Sequence, residues 1–155
     1  MIKLKVENGR KVALKLDTIA KGLLHLKSIN HASILTIDRW IQQNFEKEGG
    51  KHSESSLKWK PLSPYTLSVR RKGKKAKLSG ADVRILQDTG ALKTRWIPKS
   101  NNKGSSLQSQ VKYANDHEAG IRVKNLPKRK ILPTEEQGEE IIKPVYQHFI
   151  KELLK

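Results

Sequence analysis

One apolar stripe constrains this chain more than any other feature. Between His31 and Lys47, Ile34, Ile37, Ile41 and Phe45 recur at spacings of three and four, which puts them on one face of an α-helix. Gly49-Gly50 follow and suit the left-handed stop of such a helix. A helix of this kind draws its stability from what covers its apolar side, so the other segments are read first as candidate cover.

Before the stripe, Ile2, Leu4 and Val6 alternate with polar residues, as do Val12, Leu14 and Leu16, with Asn8-Gly9 between them. This pattern predicts a β-hairpin, and a three-residue loop keeps Val6 opposite Val12 and Leu4 opposite Leu14. Asp17 or Thr18 would then cap a helix carrying Ile19, Leu23 and Leu26, weakened by Gly22, with a break near 28–30. After the stripe, Ser63-Pro64 opens a helix on which Tyr65 and Val69 share a face. Asp88 or Thr89 caps a short turn containing Ala91 and Leu92. Two strands pair across the turn cluster at 100–104: Arg95-Trp96-Ile97 on one side, Leu107, Ser109 and Val111 on the other. A short helix over 113–119 closes at Gly120 with a left-handed cap, and Ile121 and Val123 start another short strand. Thr134-Glu135-Glu136-Gln137 matches a capping box. The helix it opens is striped by Ile142, Tyr146, Phe149 and Leu153 and is expected to kink at Pro144. The expected fold is α+β: an antiparallel sheet packed against a long helix, with a C-terminal helix closing the other side.

A length of 155 residues suits a single domain over 1–155 with one core. There is no cysteine, so disulfide scaffolds, cysteine-ligated zinc and thiol nucleophiles are excluded. No run approaches the ~20 apolar residues of a membrane span, and the alternating start lacks a signal-peptide core. The expectation is a soluble protein made inside a cell. The 32 Lys and Arg residues outnumber 15 Asp and Glu, giving +17. That surplus attracts nucleic acid or acidic protein surfaces. Arg70, Arg71, Lys72, Lys74, Lys75 and Lys77 concentrate it, and their repulsion beside Gly73 predicts a mobile basic loop over about 70–84 that faces an acidic partner or DNA.

Catalytic signatures are absent: no His-Glu-x-x-His, phosphate loop, dinucleotide glycine pattern or nucleophile elbow occurs. The densest polar group is Asn115-Asp116-His117-Glu118. Consecutive helical residues point in different directions, so this run is expected to be structural rather than a metal site. His25, His31, His52 and His148 show no ligand spacing. The three tryptophans and three tyrosines, Trp40, Trp59, Trp96, Tyr65, Tyr113 and Tyr146, form no stacking platform, and Trp59 and Trp96 read as core or interface anchors. No cofactor, metal or small-molecule substrate is expected.

Four ordered segments remain: Trp59-Lys60-Pro61-Leu62-Ser63-Pro64-Tyr65-Thr66-Leu67, Ile85-Leu86-Gln87-Asp88-Thr89-Gly90-Ala91-Leu92, Tyr113-Ala114-Asn115-Asp116-His117-Glu118-Ala119-Gly120 and Leu126-Pro127-Lys128-Arg129-Lys130-Ile131-Leu132. In order and spacing they resemble the phage virion morphogenesis family, which includes the tail completion proteins of Mu-like and P2-like phages. This chain has Ala119 where that family often has an aromatic residue, and Lys128 and Ile131 where it commonly has alanine and phenylalanine. The resemblance implies a non-enzymatic virion protein of prophage or phage origin, acting in tail completion and head–tail joining as an oligomeric ring at the neck. It implies neck and tail proteins as partners, and no catalytic residues. The matching positions, Trp59, Pro61, Leu62, Thr66, Asp88, Thr89, Gly90, Leu92, Tyr113, Ala114, His117, Gly120, Pro127, Arg129 and Leu132, are then architectural or interfacial. Trp59 would anchor a loop to the core, Asp88-Thr89-Gly90 would set a tight turn, and Arg129 would make a charge-assisted contact. Three other readings compete: a tail terminator capping the tail tube, a basic nucleic-acid-binding protein, and a metal-dependent nuclease built on His117.

Overall fold

The computed structural model describes residues 9–72, 83–121 and 125–154. Along the chain come α1 (Gly9–Leu24), α2 (Lys27–Glu46), a 3-10 turn (Ser55–Leu57), α3 (Pro64–Lys72) and α4 (Ala91–Thr94). Strands β1 (Trp96–Asn101) and β2 (Gly104–Ser109) follow, then α5 (Ala114–Ala119) and α6 (Glu135–Leu153). The strands form one antiparallel hairpin, Trp96 opposite Ser109 and Asn101 opposite Gly104. The fold is α+β, with α2 at its centre in contact with both strands and with α6.

The apolar stripe of α2 becomes the core. Ile41 and Phe45 are fully buried, among Trp40, Trp59, Leu86, Val111 and Ile131. Phe45 and Trp59 meet edge to face at 5.1 Å. Beyond the helix end, Gly49 has φ 86°, and a Cβ there would lie 2.5 Å from Trp59 Cδ1. The glycine both stops the helix and leaves room for the tryptophan.

The N-terminal hairpin is corrected. Residues from Gly9 to Leu24 are helical, and the first expected strand, 2–6, lies outside the described residues. Val12, Leu16, Ile19 and Leu23 also fit a helical spacing of four, three and four, so the alternation over 12–16 was ambiguous and the longer period prevailed. Asp17 and Thr18 are therefore mid-helix: Asp17 pairs with Lys21 at 2.7 Å, and Thr18 Oγ1 donates to the Leu14 carbonyl.

The break comes at His25–Leu26, and α2 starts four residues before His31. Distant groups hold this early start. Lys27 N donates to Asn102 Oδ1 at 3.0 Å, Asn30 Nδ2 donates to the Asn101 carbonyl at 2.8 Å, and Tyr146 Oη donates to Asn30 Oδ1 at 2.8 Å.

The other corrections are smaller. α3 continues through Lys72, so Arg70, Arg71 and Lys72 belong to a helix rather than to a loop, while Lys74, Lys75 and Lys77 lie outside the described residues. Val111 is buried just past the end of β2. Ile121 makes an isolated bridge with Leu126 rather than starting a strand pair, and Val123 is not described. Gly120 has φ 75° but ψ 148°, which is outside the left-handed helical region and open essentially to glycine alone.

The capping box forms with both bonds in place, Gln137 N to Thr134 Oγ1 and Thr134 N to Gln137 Oε1. Pro144 lies exposed inside α6. Among the described residues, no helix is long and apolar enough to cross a membrane.

Candidate functional site

The four segments that carry the family resemblance fold against one another. An open cleft of about 820 Å³ lies where they meet. Its walls include Pro61, Leu62 and Thr66 from the first segment, Asp88, Thr89 and Leu92 from the second, Tyr113 and His117 from the third, and Pro127 and Arg129 from the fourth.

Five expected residues stand outside the cleft wall. Trp59 is buried in the core, and its indole N–H donates to the Lys130 carbonyl at 2.8 Å. Ala114 is buried in the same core, and Leu132 packs on its edge. Gly90 (φ 72°) turns the chain into α4. Gly120 lies where a Cβ would come 2.8 Å from Lys128 N, so the third segment is held against the fourth.

Several polar groups at the cleft are engaged in holding its walls. Arg129 is 5 % exposed, and its Nε and Nη2 donate to the carbonyls of Lys60 and Pro61 at 3.2 and 3.4 Å. A buried guanidinium supplies donors to two proline-bounded carbonyls that no regular element serves. The Arg129 backbone N–H donates to the His117 carbonyl at 2.8 Å. Ser63 Oγ accepts from Thr66 N at 3.2 Å, which starts α3 as Ser63-Pro64 predicts. Thr89 Oγ1 accepts from Ala91 N at 3.3 Å at the start of α4, although the capping position itself is Gly90. The His117 ring lies edge to face against Tyr113 at 5.8 Å.

The acidic cluster at α5 separates in space. Glu118 reaches the fourth segment, where Oε2 accepts from the backbone N–H groups of Ile131 and Leu132, and Oε1 lies 3.7 Å from Lys130 Nζ. His117 turns to Tyr113 instead. Among the described residues, no three His, Cys, Asp or Glu side chains come together to hold a metal ion.

Sequence reasoning missed a second clamp on the same segment. Asn44, fully buried on α2, donates through Nδ2 to the carbonyls of Lys130 and Ile131 at 3.3 and 3.2 Å. His52, 2 % exposed, places Nε2 2.9 Å from the Lys130 carbonyl and Nδ1 3.1 Å from Gln137 Oε1. Its ring meets Trp40 edge to face at 5.2 Å. Residues 129–132 form an irregular segment with Arg129 and Ile131 buried, and side chains from four other parts of the chain supply the hydrogen bonds a sheet would otherwise give it. Asn44 was legible only as a polar interruption of an apolar helix, and nothing local marked His52.

No protein-family model, curated protein or solved structure matches the chain.

Proposed function

We propose that this protein is a structural component of a phage virion that acts in tail completion and head–tail joining, as one member of a ring at the neck. The observation that carries the reading is the convergence of the four family-like segments on one cleft whose residues clamp one another. Residues kept for catalysis leave polar atoms aimed at a substrate, whereas Arg129, Ser63 and Thr89 each bind the backbone of their own chain. That pattern supports an architectural role: a rigid wall shaped to receive a neighbour. The net charge of +17 suits acidic neighbours in such an assembly.

Deleting the gene from the parent phage or prophage and imaging the lysate tests the reading. DNA-filled heads apart from finished tails are expected. Tails of irregular length would assign the protein to the tail terminator role instead. Normal, joined particles would remove the virion role altogether.

The charge surplus favours a second reading, direct binding of nucleic acid. Affinity for duplex DNA that falls steeply and linearly on a log–log plot against salt, with a defined site size, would support it.

A further inference from the structure

Two short runs border the cleft, Lys60-Pro61-Leu62 and Leu126-Pro127-Lys128, each made of a lysine, a proline and a leucine. Trp59 donates to the Lys130 carbonyl while Arg129 reaches the carbonyls of Lys60 and Pro61, so the two runs lie side by side. A proline has no N–H and a fixed φ, so this rim is stiff and offers an incoming chain no continuous strand edge. What it offers is side chains. Leu62, Leu126 and Pro127 are half-buried, and Tyr113 is 45 % exposed. Cations stand around this apolar surface. Lys60 lines the cleft, Lys112 precedes Tyr113 and Lys128 follows Pro127, and all three are exposed. Among the described residues, no carboxylate pairs with any of them, whereas Lys93 is tied to Glu46 and Lys130 to Glu118. Asp88 is the one carboxylate among the described lining residues.

We infer that the cleft docks an acidic peptide segment of a partner protein. An apolar side chain of that segment sits against Leu62, Leu126 and Tyr113, and carboxylates flanking it meet Lys60, Lys112 and Lys128. This rests on the cleft being the surface that receives a neighbour, as proposed above, and adds the neighbour's chemistry. Three observations select it. A concave volume of about 820 Å³ takes a few side chains of a chain segment rather than a broad globular face. Exposed ion pairs by themselves contribute little, so the apolar seat supplies affinity while the unpaired lysines steer and select the partner. The proline-stiffened rim and the exposed tyrosine suit such an anchor, because little ordering is needed when it binds. A nucleic-acid backbone would satisfy the lysines, but it would leave Leu62, Leu126 and Pro127 without apolar partners and bring phosphates toward Asp88. An acidic segment with an apolar residue at its centre satisfies both the charge and the lining.

Fluorescence anisotropy with the full chain tests it. The probe is a fluorescein-labelled peptide of about twelve residues, with glutamates around a central leucine-phenylalanine pair. A Kd of about 1–100 µM is expected at roughly physiological salt. Lys60→Glu with Lys128→Glu should weaken binding by roughly tenfold or more. Lys11→Glu with Lys15→Glu makes the same change in net charge on α1, which lines no part of the cleft, and should weaken it by less than about threefold. A peptide that keeps every glutamate but carries serines in place of the apolar pair should bind roughly tenfold less tightly or worse. All four lysines are exposed, and circular dichroism checks that each variant keeps its fold. If the charge reversal disturbs the chain, Lys60→Gln with Lys128→Gln repeats the comparison with about half the change in charge. Equal weakening by the two lysine pairs overturns the proposal, because it reports attraction to net charge alone. Affinity that survives loss of the apolar pair overturns it too, as does no binding at about 1 mM peptide. A duplex of about twelve base pairs that displaces the peptide, and whose own binding depends on Lys60 and Lys128, also overturns it and assigns the cleft to nucleic acid. Any of these results together with separated heads and tails in the deletion lysate would leave the virion role standing and change only the occupant.

Discussion

Replacing Asn44 with leucine tests the interior clamp directly. The two side chains are similar in size, so the site keeps its packing and loses its hydrogen bonds. Asn44 Nδ2 serves the Lys130 and Ile131 carbonyls, and its Oδ1 accepts from Lys51 N at 3.4 Å. The Lys130 carbonyl keeps Trp59 and His52. The Ile131 carbonyl loses its hydrogen bond to Asn44, and Ile131 is 1 % exposed. Orphaning a buried backbone group costs about 1–3 kcal/mol, and the longer bond to Lys51 N, at a half-buried position, adds less. The expected loss is about 2–4 kcal/mol, with a melting temperature lower by roughly 4–16 °C for a chain of this size. Trp59→Phe supplies the comparison, because it removes a donor from a carbonyl that keeps two others. Its expected cost is about 1–2 kcal/mol, including the smaller ring. Guanidinium titrations followed by far-UV circular dichroism measure both. If Asn44→Leu proves as stable as the native chain, or milder than Trp59→Phe, the interior segment is not held in the way described.

Glu118→Ala removes the acceptor for two backbone N–H groups, and a loss of about 2–4 kcal/mol is expected in the same titrations, with Glu118→Gln losing less. Gly120→Ala forces a side chain into a glycine-only conformation and against Lys128 N; it should cost about 2–4 kcal/mol, and a neutral result would mean the backbone turns differently there. Thr134→Ala opens the capping box of α6 and should cost about 1 kcal/mol. Pro144→Ala restores an N–H to an exposed position inside α6, so stability should rise by about 1–3 kcal/mol; a loss would show that the proline's shape is needed where α6 packs on α2.

Much of the fold was legible in the sequence because its signals are local. Ile34, Ile41 and Phe45 carry a helical period, Ser63-Pro64 and Thr134 to Gln137 carry start signals, and the turn at 100–104 separates two extended runs. Each depends on residues within a few positions of one another, and each stands in the structure. The candidate site was legible as a set of positions, but the sequence said nothing of what each position touches. The start of α2 depends on Asn102, more than seventy residues away. The roles of Asn44, His52 and Glu118 depend on a segment near residue 130 that passes beside all three.

α1 marks the boundary most clearly. Its residues satisfy both a strand period over 12–16 and a helical period over 12–23, and local propensity does not choose between them. Gly22 reads as a flaw in a helix until Leu153 is found beside it. The sequence by itself determined which segments are apolar, where α3 and α6 start and where α2 stops, that no thiol chemistry is present and that the chain is strongly basic. Tertiary structure decided which apolar faces meet and which buried polar groups serve one another. Those outcomes depend on contacts between residues far apart in the chain, whose closure no local period or cap encodes.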